Sequence, residues 1–102
     1  MRFILAAISV IRDADFEWDD GKAAVNIRKH RLSFHDARAV FDDPAVRIDA
    51  DTGGDYGEDR FVAIGKVDGL LFSVAFAERG TRICIISARR ATRYEERLYH
   101  RG

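Results

Sequence analysis

Cysteine, proline and tryptophan each occur once in the 102 residues. A single cysteine excludes an internal disulfide framework and fits a reducing cytosol. Cys84 stands in an apolar run and reads as a buried, inert thiol. The three histidines, His30, His35 and His100, show no metal-ligand spacing, so no metal or other cofactor is expected. The chain has no glycine-rich phosphate loop, no nucleophile elbow and no Ser-His-Asp order. It also lacks a long hydrophobic run. Phe3 to Ile11 is mostly apolar but too short to span a bilayer, so no membrane contact is expected. One arginine precedes that stretch and no small-x-small cleavage site follows, which makes a poor signal peptide. Residues 1–15 therefore read as an extension of uncertain status, and residues 16–102 as one domain.

Net charge is absent too, because 17 basic residues balance 17 acidic ones. The balance hides a polarity. From Arg79 onward seven arginines face only Glu95 and Glu96, a formal +5. From Asp42 to Asp59 seven acids face only Arg47. The acidic block reads as a solvated loop or a patch for a basic partner. The basic end reads as an anion-binding surface, since guanidinium forks hold phosphate oxygens in pairs.

Local signals give the element order. Asp19 or Asp20 can cap a helix running to about His30, with Ala23, Ala24 and Ile27 inward. Ser33 and Asp36 make a capping-box-like start for a second helix, which Asp42-Asp43-Pro44 ends. Beyond Pro44 the period becomes two. Strands are expected at about Val46–Ala50, Arg60–Val67, Leu70–Ala77 and Arg82–Ser87. Asp68-Gly69 supplies a type I′ hairpin turn between the middle two. Thr92 and Glu95 form a capping box for a last helix, about Arg93 to His100, with Tyr94 and Leu98 on its packed face. The expected fold is α+β: two N-terminal helices, a four-stranded antiparallel sheet and a C-terminal helix.

With no metal set and no nucleophile, chemistry must come from arginine, lysine, histidine, tyrosine and carboxylate. RNA permits this, because its own 2′-hydroxyl is the nucleophile. The candidate catalytic residues are Arg60, Arg82, Arg89 and Arg90 for charge stabilisation, His30 for proton transfer and Tyr99 in support. Lys29, Arg93 and Arg97 would extend the RNA-binding track. Arg60, Arg82 and Arg89 are expected on one face with His30 or Tyr99 near. Arg89→Ala is expected to remove function and leave thermal stability nearly unchanged. Trp18 reads as a lid on the core, the alternative being a base-stacking platform.

Several stretches together resemble the BrnT toxins. They are Phe16-Glu17-Trp18-Asp19, Lys22-Ala23, Asn26, Lys29-His30 and Ser33-Phe34, then Ala37 and Val40-Phe41-Asp42-Asp43-Pro44. Asp59-Arg60-Phe61, Ile64-Gly65, Ile85-Ile86-Ser87-Ala88-Arg89, Ala91-Thr92, Glu95 and Tyr99 complete the pattern. The resemblance implies a RelE-like, metal-independent ribonuclease toxin of a bacterial type II toxin–antitoxin system, acting in the cytoplasm. It implies neutralisation by a co-encoded BrnA-like ribbon-helix-helix antitoxin in a hetero-oligomer, and contact with operator DNA only through that antitoxin. The rival reading is a non-catalytic antitoxin-binding module acting as co-repressor. Many relatives have glycine where this chain has Arg31, which is expected to change the helix end, and arginine where it has Cys84.

Overall fold

The computed structural model describes residues 15–101. Strand β1 (Asp15–Glu17) leads into helix α1 (Asp20–His30) and helix α2 (Phe34–Ala37), which continues as a 3-10 segment (Arg38–Asp42). Strands β2 (Arg47–Asp51), β3 (Arg60–Val67), β4 (Leu70–Arg79) and β5 (Arg82–Arg90) follow, and helix α3 (Arg93–Arg101) closes the order. The sheet runs β1-β5-β4-β3-β2. The α+β class is as expected, but two features of the expected fold need correction. The sheet has five strands, not four, and it is mixed, because β1 pairs parallel to β5. The second helix holds α geometry for only four residues before tightening to 3-10. The expected extension lies, apart from Asp15, outside the described residues.

The local signals act where the side chains dictate. Asp19 accepts from Lys22 N at 2.8 Å and Ser33 from Asp36 N at 3.0 Å. Thr92 and Glu95 cap reciprocally, at 3.1 and 2.9 Å. Asp68 and Gly69 both have positive φ, as a type I′ turn requires. Arg31 also has φ 56°, so an arginine holds the left-handed cap that usually falls to glycine, and the helix end keeps its ordinary geometry. None of the described helices is long and apolar enough to cross a membrane.

One sheet face carries the main core. Phe61 and Ala63 of β3, Val74 and Phe76 of β4, and Ile83, Ile85 and Ala88 of β5 pack with Phe34, Ala37, Val40 and Phe41. Phe41 meets Phe76 edge-on at 5.2 Å, and Trp18 meets Phe34 edge-on at 6.0 Å. The helical segment passes so near β3 that a Cβ on Gly65 would lie 2.7 Å from the Val40 carbonyl. A bulge leaves Ile86 unopposed between Ile85 and Ser87. It lets Ile85 and Ala88 share the core face while Ser87 and Arg89 turn to the other.

The inward face of α1 differs from the expectation. Ala24 and Ile27 are exposed, and the buried residue is Asn26. Its amide donates to the Ala88 carbonyl (2.8 Å) and the Leu32 carbonyl (3.0 Å), and its oxygen accepts from Ala88 N (3.0 Å). β1 covers the outer edge of β5 only from Arg82 to Cys84. Beyond it, the Asn26 side chain meets the exposed backbone as a neighbouring strand would.

Candidate nucleic-acid interface on the open sheet face

The second sheet face is built in rows. Glu17, Cys84, Ala77, Arg60 and Asp51 stand opposite one another across all five strands. Ser87, Ala75, Val62 and Asp49 form a further row, then Arg89, Ser73, Ile64 and Arg47. Helix α3 lies over the last of these. Glu95 binds Ser73 Oγ (3.1 Å), and the Leu98 carbonyl accepts from Arg47 (3.2 Å). Tyr94 faces solvent at 62% exposure, so it does not belong to the packed face expected for it. Between α3 and the Arg60 row the face presents exposed Ser87, with Ala75 and Val62 half-buried beside it.

An alternating charge chain crosses the far end of this face. Arg60 faces Glu58 at 3.7 Å, Glu58 faces Arg79 at 3.3 Å, Arg79 faces Glu17 at 3.8 Å and Glu17 faces Arg82 at 3.6 Å. Arg60 also stacks over Tyr56 at 4.0 Å, and its Nε is buried without a hydrogen-bond partner. Glu17, Glu58, Arg60 and Arg79 border a cleft of about 260 Å³, whose other walls include Trp18, Asp19, Lys22, Cys84 and Ile86. Lys22 also borders a neighbouring hollow with Lys29, His30, Ile86 and Ser87.

The expected site residues divide accordingly. Arg60 and Arg82 share one end of the face. His30 is exposed and stands over the β5 edge beside Ser87, with Lys29. Arg89 shares the face but lies about 13 Å farther along, four strand residues at about 3.3 Å each. Its guanidinium is held by Glu95 at 2.7 and 3.1 Å. Arg90 follows Arg89 on the strand and therefore points to the opposite face, 5.8 Å from the Phe72 ring. Arg93 and Arg97 line an outer hollow of α3 with His100 and Arg101. Tyr99 donates to Asp43 at 2.6 Å, and Asp43 also accepts from Lys66 N at 2.7 Å. That places Tyr99 at the hairpin end of β3, away from Arg60.

Two groups are tuned by these ties. The hydrogen bond to Asp43, with burial and the Asp43 charge, pushes the Tyr99 phenol up to about 12. It is a fixed donor, not a proton shuttle. Burial pushes the Glu95 carboxyl up, but Arg89, Thr92 N and Ser73 outweigh it and hold the group below its ordinary value. The Arg89–Glu95 contact is therefore a folded-state tie. Arg89→Ala would leave a carboxylate with 14% side-chain exposure without its cation, held by Thr92 N and Ser73 Oγ alone, against the expectation of unchanged stability.

Sequence reasoning missed Lys22, Glu17, Glu58 and Arg79. A signal for Lys22 was present: it precedes Lys29 by seven residues, two helical turns, on one face. The two glutamates had no signal, because only the strand pairing brings them beside arginines. Among the described residues no group of three or more His, Cys, Asp or Glu side chains is placed to hold a metal ion.

A family model described as "Ribonuclease toxin, BrnT, of type II toxin-antitoxin system" matches residues 18–95. No curated protein matches the chain.

Proposed function

We propose, for a chain that belongs to the BrnT family of ribonuclease toxins of type II toxin–antitoxin systems, a metal-independent cleavage of RNA on the open sheet face. The ribose 2′-oxygen attacks the adjacent phosphorus as its proton passes to a base. A bond forms from that oxygen to phosphorus, the bond to the 5′-oxygen breaks, and the departing oxygen takes a proton. His30 is the proton-transfer group, because it is exposed and borders Ser87. Arg60 and Arg82 stabilise the phosphorane through the guanidinium charge they hold at one end of the face. Lys29 grips the backbone. Arg89 aligns α3 through Glu95, and Tyr99 fixes the far end of that helix. Arg90 lies outside the reacting centre.

The observation that carries this reading is the short-chained strip of Ser87, Ala75 and Val62 between α3 and the arginine row, with His30 and Lys29 bordering Ser87. A single strand can lie there with its phosphates against cations. The outer stripe of α3, Arg93 and Arg97 with Arg101, extends the phosphate track. It also receives the antitoxin, a BrnA-like ribbon-helix-helix protein with an acidic segment. The complex is a cytoplasmic hetero-oligomer that reaches operator DNA only through the antitoxin.

Purified protein incubated with RNA tests the reading. Cleavage should occur in the presence of chelator and stop when a 2′-deoxy sugar occupies the cleaved position. Induction in cells should arrest growth, and the antitoxin should restore it. The charge chain that already pairs Arg60, Arg79 and Arg82 with glutamates favours a second reading, a non-catalytic antitoxin-binding co-repressor. Intact RNA together with tight antitoxin binding would establish that one.

A further inference from the structure

Three arginines at the end of the open face are paired with Glu17 and Glu58, and Arg89 is paired with Glu95. The sheet's own cations are largely neutralised before any ligand arrives. Helix α1 is different. Lys22 and Lys29 form no ion pair among the described residues. Asn26 lies between them at helical spacing and is buried against Ala88. Pinning Asn26 to β5 sets the whole stripe against that strand's edge, with Lys22 one turn before the anchor and Lys29 one turn after. The two lysines are separated by about 10.5 Å of helix axis, seven residues at about 1.5 Å each. Lys22 borders both the arginine cleft and the His30 hollow, and Ile86, turned outward by the bulge, borders both as well. The two concavities therefore meet at Lys22, beside Asp19, which borders both as well and whose carboxylate caps α1 at Lys22 N.

We propose that the Lys22–Asn26–Lys29 stripe of α1 is the wall that grips the RNA backbone, with Lys22 contacting the phosphate that bridges the Arg60 cleft and the His30 hollow. This rests on the reading of the open face as an RNA site. Lys22 is a positioning residue. Its ammonium fixes one phosphate so that the neighbouring ribose lies between His30 and Arg60. Backbone charge, not base identity, is what it reads, so its contribution is the same for any sequence.

A 2′-O-methyl RNA oligonucleotide, which binds but offers no nucleophile, is the probe. Lys22→Ala should weaken its binding roughly three- to tenfold at physiological salt and lower the slope of log affinity against log salt by about one. Lys22→Arg should restore most of the affinity. Arg28→Ala removes the same charge from another face of α1 and should leave both readouts near the wild-type values. With cleavable RNA, Lys22→Ala should raise KM more than it lowers kcat. Wild-type affinity and slope in Lys22→Ala, or equal losses in Lys22→Ala and Arg28→Ala, would overturn the proposal. Absence of binding by the wild-type protein would overturn it too. Binding with the expected Lys22 dependence but no cleavage would sustain the groove and overturn the ribonuclease reading.

Discussion

Arg31 occupies a backbone conformation that a side chain resists. At φ 56° its Cβ crowds the following carbonyl, which disfavours non-glycine residues by about 1–2 kcal/mol. Glycine would remove that strain and lose part of the gain to its freer unfolded chain. Arg31→Gly should therefore raise stability by about 0.5–1 kcal/mol, measured by urea denaturation. Arg89 shows the opposite case, a residue whose charge suggests function and whose guanidinium ties Glu95 of α3 to β5. Arg89→Ala should lower stability by about 1–3 kcal/mol, because Glu95 loses its bidentate partner. The double variant Arg89→Ala with Glu95→Gln should recover part of that loss. An unchanged melting temperature in Arg89→Ala would show the pair to be inert. Charge alone made Arg89 and Arg90 look equivalent in the sequence, whereas strand alternation sends them to opposite faces. The break in period at Ile85-Ile86, two apolar residues where one is due, is the trace of the bulge that aims Ser87 and Arg89.

At the scale of elements, what is local is legible. Caps at Asp19, Ser33 and Thr92 and the Asp68-Gly69 turn depend on residues within one turn of each other, so their spacing reveals them. Strand β1 is only three residues long and pairs with a strand distant in sequence, so its place cannot be read from its own pattern. Asn26 is hidden for the same reason. A polar residue on an amphipathic helix reads as solvent-facing until the sheet edge that it completes is known. Asn26→Ala should destabilise the fold by about 2–4 kcal/mol, since the Ala88 N–H and carbonyl and the Leu32 carbonyl all lose their partner. Amide hydrogen exchange should accelerate at Ala88 in that variant more than at Val74. Equal protection at both would mean that water replaces the side chain without loss.

For the whole molecule, pH and salt are the informative variables. Asp43 is pushed up by burial, but donors from Tyr99, Lys66 N and Ala45 N prevail and hold it low. Glu95 is held low as well. Groups with depressed values contribute stability that is present above their ordinary values, 3.8 and 4.5, and lost as pH falls through the folded ones. Tyr99 acts with the opposite sign. Its contribution is complete below the ordinary 10.0 and lost as pH rises through about 12. Chemical denaturation across pH should show both limbs, the acid one shallower in Asp43→Asn and Glu95→Gln. An ultraviolet titration should show an ionisation near pH 12 that disappears in Tyr99→Phe. Antitoxin association should slow as salt rises, because exposed charges are screened beyond about 8 Å at physiological ionic strength. A salt-independent rate, with full binding by Arg93→Ala/Arg97→Ala/Arg101→Ala, would place the antitoxin elsewhere.

The parallel pairing of β1 with β5 also has a temporal meaning. The hairpins β3–β4 and β4–β5 join near neighbours and close rapidly, whereas β1 must wait for the most distant strand in the order. During synthesis β1 and α1 leave the ribosome before β5 and have no edge to join until it follows. Lys22, Lys29 and His30 thus meet the open sheet face only at the last pairing event. On the proposed reading of the open face, a partly made chain carries the charges of the site without its geometry.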